Sequence, residues 1–140
     1  MKKYLNIAYL YAVAALAGGV FYREFTKFNK FTGVTTLGKV HTHLFVLGVI
    51  MFLIVALYSK EIDLEKNKKE KRFLFTYNIG VILMATMLLI RGILEVLGVD
   101  LSSTIDTMIS WCAGIGHALV AFGLILFLKI SKKHFKEVES

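Results

Sequence analysis

Three histidines lie within or against long apolar stretches. His41 and His43 open one stretch, and His117 falls in the middle of another. Ionisable side chains are costly in a bilayer, so they usually face a protein interior and often mark a ligand or proton path. Imidazole ligates heme iron and suits copper or zinc. In the first chemistry, His117 and either His41 or His43 hold one heme b iron from opposite sides, since helix bundles build cofactor sites from facing helices. Arg91, four residues before Glu95, then meets the heme propionates, because a guanidinium grips carboxylates in a forked geometry. Met84 and Met87, on the face of Arg91, supply soft packing. In the second chemistry, His41, His43 and His117 bind a bare metal ion. Against it, two histidines separated by one residue point about 200° apart on a helix.

No enzyme motif accompanies these residues, and no catalytic residue is assigned. Gly114-Ile115-Gly116 is too short and wrongly placed to bind a nucleotide. Glu95 and Asp106 fit an outer surface better than an acid–base pair. On its own the chain is not expected to be an enzyme.

The elements that must position the histidines are four apolar blocks: 4–22, 40–58, 73–97 and 107–128. Each is near the roughly 20 residues that cross a bilayer as a helix. The chain has 140 residues, 56% hydrophobic and only 19% charged, with no proline and a mean hydropathy of +0.65. A single all-α domain follows, an integral membrane four-helix bundle. Lys2, Lys3 and Ala15-Leu16-Ala17 before Gly18 resemble a signal peptide. The apolar run is longer than a usual signal core and carries Tyr4, Tyr9 and Tyr11, which suit a packed or interfacial helix, so the first block is read as a retained span.

Twelve of the 17 cationic residues lie before block one, between blocks two and three, or after block four. Lysine and arginine favour the cytoplasmic side, so both termini are expected there. The net charge of +7 then reads as an anchor on anionic headgroups, with Lys66 to Arg72 as the densest run, and nucleic acid is not needed as a partner. Cys112 is the only cysteine, which excludes an intrachain disulfide. Phe25, Phe28 and Phe31 in the 23–39 connection suggest an interfacial helix or turn.

At 1.5 Å per residue from the cytoplasmic ends, His43 stands about 24 Å up, His41 about 27 Å, His117 about 18 Å and Arg91 about 28 Å. All fall in the outer half of a core roughly 30 Å thick, consistent with one site near the outer face. Ser110, Ala113, Gly114 and Ala121 share the stripe of His117. Small residues there allow close helix approach or leave room for a flat ligand. Only one of His41 and His43 can face the core of a lone bundle; the other reaches the interface or a second subunit, which makes a homo-oligomer relevant.

Gly38-Lys39-Val40-His41-Thr42-His43-Leu44 with Leu47-Gly48, then Arg91-Gly92 and Ala113-Gly114-Ile115-Gly116-His117, resemble an uncharacterised bacterial membrane family, domain of unknown function 2871. The resemblance covers nearly the whole chain. It implies four spans in a bacterial cell membrane and no established activity. The His-x-His helix is also similar to that of the heme–copper oxidase catalytic subunit, where such a pair ligates two hemes from opposite faces. That similarity implies heme-ligand roles for His41 and His43. The chain lacks the further histidines of a copper centre, so oxygen reduction is not implied, and a trimer would imitate the twelve helices of those subunits. The expected function is heme b or related metal-cofactor binding. The alternatives are a cofactor-free structural or accessory protein, or a small heme- or metal-handling carrier, although no broken helix suggests a transport path.

Overall fold

The computed structural model describes residues 1–62, 64 and 67–138, so Lys66 of the basic run lies outside the described residues. Four helices run up and down: α1 (Lys2–Phe28), α2 (Gly38–Glu61), α3 (Lys68–Val96) and α4 (Ser103–Val138). No strand occurs among the described residues. All four helices are long and apolar enough to cross a membrane. This is an all-α four-helix membrane protein. The lysine-bearing start of α1, end of α2, start of α3 and end of α4 gather at one end, here called the basic end. There Lys3 meets Glu70 and Tyr58 meets Phe127.

The helices outrun their apolar blocks. The first block suggests an end at Tyr22, yet α1 continues to Phe28, so Phe25 and Phe28 extend that helix instead of forming a separate interfacial element. Composition limits what can sit in hydrocarbon. It does not limit where helical hydrogen bonding stops once the chain is in water. Asn29 caps the extension and Lys30 takes a left-handed φ of 52°, which turns the chain back toward α2.

Each helix packs on its neighbour in sequence: α1 on α2, α2 on α3, and α3 most extensively on α4. In lipid, burying apolar surface gives little driving force between helices, so close van der Waals packing and interhelical hydrogen bonds must hold them. Glycines supply the closeness. A Cβ on Gly80 would lie 2.7 Å from the Gly116 carbonyl oxygen, and one on Gly116 would lie 3.1 Å from that of Gly80. The core near the basic end is aromatic: Tyr4, Phe52, Phe73 and Tyr77 are fully buried, and Phe52 packs against Tyr11, Phe73 and Tyr77.

The middle of α2, Leu44–Ile50, winds as a π-helix. Such a wide turn frees backbone carbonyls, which buried polar side chains can take up. The Tyr77 hydroxyl donates to the Leu47 carbonyl at 3.0 Å. Gly48 lies within this turn against the Tyr11 ring, and a Cβ there would approach ring atom Cδ1 to 2.6 Å. The phenol of Tyr11 donates to Asn78 Oδ1 at 2.8 Å, tying α1 to α3.

Candidate functional site

The end of α2 away from the basic end, which carries His41 and His43, is fastened to α3. The Thr36 backbone N–H donates to Glu95 Oε2 at 2.6 Å and the Thr36 hydroxyl donates to the same oxygen at 3.1 Å. The Thr35 hydroxyl donates to the Gly92 carbonyl at 3.1 Å. Glu95 therefore holds the start of α2; it is half-buried, and not the plain surface residue its position suggests. Replacing it with alanine removes two hydrogen bonds to a charged acceptor and is expected to cost about 2 kcal/mol. Glu95→Gln, which keeps an acceptor, should lose less. Thermal unfolding in detergent measures both, and a Glu95→Ala midpoint equal to wild type would contradict the assignment.

His41 turns toward α1. Its ring stacks on Tyr22, with centroids 6.3 Å apart and planes at 19°, and a Cβ on Gly19 would lie 3.8 Å from the imidazole Cγ. Its Nδ1 is buried without a hydrogen-bond partner. His43, about 200° around the helix, turns elsewhere, and with Thr42, Val46 and Leu47 it lines a surface cavity of about 270 Å³. The opposed facing read from the spacing is thus present. His117 is exposed on α4, next to Gly114, where an added Cβ would meet nothing within 4 Å.

The ring nitrogens divide the three. Nδ1 of His43 lies 2.8 Å from the Lys39 carbonyl oxygen, and Nδ1 of His117 lies 2.8 Å from that of Ala113. A carbonyl only accepts, so each Nδ1 donates to it, and in the neutral imidazole Nε2 then holds the lone pair. Metal-ligating histidines almost always have their second nitrogen donating in this way, which fixes the tautomer and the ring. His43 and His117 share that arrangement and His41 does not.

Glycine contacts set the levels. Gly92 abuts Leu37, and Gly80, twelve residues toward the basic end, abuts Gly116. At 1.5 Å per residue, His43 lies about 9 Å below the Leu37 level and His117 about 20 Å below it, so the two are offset by about 10 Å along the helices. Boundary counting alone suggests about 6 Å. Among the described residues, no group of three or more His, Cys, Asp or Glu side chains converges as a metal site, so His41, His43 and His117 are not gathered into a three-ligand cluster.

Arg91 is engaged with α4. Its Nη2 donates to the Asp106 carboxylate and, at 2.9 Å, to the Ser110 hydroxyl, while its Nε is buried without a partner. A propionate there would have to compete with Asp106. Met84 is buried against Gly116 in the α3–α4 seam.

Two polar clusters escape a reading centred on histidine. Glu70, 2% exposed, accepts from Lys3 Nζ at 2.8 Å and from the Tyr4 hydroxyl at 3.0 Å. Asn67 caps α3 by accepting from the Lys69 N–H at 3.0 Å. Asn67-Lys68-Lys69-Glu70 is a helix-start signature of the capping-box kind, so a signal for Glu70 was present. The signal for Asn78 was its amide in the middle of an apolar block.

The family described as Protein of unknown function (DUF2871) matches residues 1–134. The chain belongs to this family. The match takes in all four DUF2871 helices, with His41, His43, Arg91 and His117 inside it. No curated protein and no solved structure matches the chain. The similarity of the His-x-His helix to heme–copper oxidases finds no support in these comparisons and rests on the spacing alone.

Proposed function

We propose that this protein binds heme b in the membrane through His117; the offset of about 10 Å along the helices keeps His43 of the same chain off that iron, and His43, in preference to His41, is the candidate for a second heme-ligating position. The observation that carries this reading is the ring of His117: in mid-helix, Nδ1 bonded to the Ala113 carbonyl, the residue exposed beside the bare backbone of Gly114. An exposed imidazole within a hydrocarbon-length helix calls for a ligand or partner. His43 has the same preparation and a cavity at its side. Bound heme would supply an iron centre for electron transfer or ligand binding. The chain's own part is to hold the two imidazoles in one tautomer and to offer a guanidinium near the outer end. The face of α4 bearing His117 is uncovered among the described residues, which favours a homo-oligomer as the working form. With a bacterial cell membrane as its setting, the lysine distribution favours a cytoplasmic basic end.

Purified from heme-replete cells, the protein should show a Soret band that shifts on reduction with dithionite. His117→Ala should abolish that band, and His43→Ala should alter it more than His41→Ala does. A colourless, metal-free preparation from such cells would end the heme reading. It would favour the second one, a cofactor-free structural or accessory protein, which is supported by the fact that carbonyls four residues back already satisfy both Nδ1 groups.

A further inference from the structure

Away from the histidines, α1 and α3 stand apart along most of their length. They touch through side chains at the basic end, where Lys3 and Tyr4 reach Glu70, and again where Tyr11 reaches Asn78. Beyond Tyr11 the small residues Ala14, Ala17 and Gly18 from α1 and Ala85 from α3 line the seam beside the larger Phe21 and Leu89. Two open cavities result, of about 460 and 320 Å³, and both are lined by Tyr11, Ala14 and Ile82, so they form one furrow. Its α1 wall runs from Ile7 to Phe21. That is about 21 Å, roughly two-thirds of a 30 Å hydrocarbon core. The lining is almost wholly apolar, and no described part of the chain fills it.

The exposed charge flanking the basic end of this furrow is cationic, the Glu70 carboxylate being buried. Lys3 precedes Ile7 by four residues and Lys71 precedes Asn78 by seven, so each lies on the stripe of its helix that lines the furrow. The Lys3 side chain is 47% exposed and Lys71 is exposed. An ammonium has three donors. Glu70 takes one from Lys3, which leaves two for another acceptor. An apolar slot of acyl-chain length that ends between two exposed ammonium groups is complementary to one class of molecule. We propose that the α1–α3 furrow is a binding site for an anionic phospholipid, with an acyl chain along Ala14, Ala17 and Ala85 and the phosphodiester between Lys3 and Lys71. This site is independent of heme.

The test is native mass spectrometry of the full chain released from bilayers holding equal amounts of phosphatidylglycerol and phosphatidylcholine with matched chains. One phosphatidylglycerol per chain should be retained in clear preference to phosphatidylcholine. Lys71→Gln should weaken that preference about fivefold, equivalent to the ~1 kcal/mol that a lysine near an anionic surface contributes. Ala17→Leu with Ala85→Leu should fill the slot and remove retained lipid of both kinds. Equal retention of the two lipids, or retention unchanged in the filled variant, overturns the proposal. So does a filled variant whose only change is dissociation of an oligomer, because the occupant would then be a second copy. Lys71→Gln alters an exposed side chain, so it keeps the question answerable if the filled variant fails to fold.

Discussion

Alanine at Gly92 is expected to destabilise the protein by about 3 kcal/mol, the upper end of the usual range for overpacking. The added Cβ would meet the Leu37 backbone N and would lie 2.6 Å from Leu37 Cα. Backbone cannot move aside as a flexible side-chain tip can, so α2 as a whole would have to withdraw from α3. Thr35 and Thr36, bonded to the Gly92 carbonyl and to Glu95, would be pulled off their acceptors together. Gly114→Ala is the matched control. Its Cβ meets nothing within 4 Å, and replacing a mid-helix glycine should be neutral or stabilising by up to ~1 kcal/mol. Denaturant unfolding in mixed micelles compares the two. Equal stability of the two variants would show that the α2–α3 approach is not as close as described here. If heme is bound, Gly92→Ala should also perturb the Soret band, because Gly92 sets the height of His43, whereas Glu95→Gln should do so less.

Glu70→Ala is expected to cost about 2–3 kcal/mol. Hydrogen bonds to charged groups contribute about 1.5–3 kcal/mol each, but half-exposed Lys3 regains water when its partner is removed, so the two contributions do not simply add. The carboxylate also lies in the first turn of α3, where the helix dipole favours negative charge. Glu70→Gln keeps an oxygen that accepts from Tyr4 and should lose roughly half as much. Since the carboxylate is 2% exposed, the wild-type contribution should vary little between low and high salt. A Glu70→Ala variant within ~0.5 kcal/mol of wild type would mean that this cluster does not hold α1 to α3, leaving that to the Tyr11–Asn78 bond.

The four spans were legible because hydrocarbon imposes length and apolarity together, and no other soluble or membrane element needs both. The divergence of His41 and His43 was legible for a similar reason: two residues along any α-helix rotate by about 200° whatever surrounds it. The level of His117 relative to His43 was not. It depends on where α3 and α4 lock through Gly80 and Gly116, a register that no local pattern encodes. The partners of Glu70, Asn78 and Glu95 lie 59 to 67 residues away in sequence, beyond any periodicity argument. Arg91 reads as a free cation until α4 brings Asp106 and Ser110 against it. The wide turn at Leu44–Ile50 leaves no trace either, since every residue there except Gly48 is large and apolar.

That wide turn makes α2 a helix of two phases. A π-helical segment inserted in an α-helix carries a surplus residue, so the portion inward of Ile50 is rotated by roughly 100° from where continuous winding would put it. Phe52, Val55 and Ala56 reach the core from one phase, while His41 and His43 are presented from the other. Losing a single residue between Leu44 and Ile50 would therefore leave the basic-end half in place and swing the imidazoles to new bearings, together with the buried Leu37 and Val40. A one-codon deletion in this short stretch is the smallest genetic change able to re-aim them, at the expense of the Leu37 contact with Gly92.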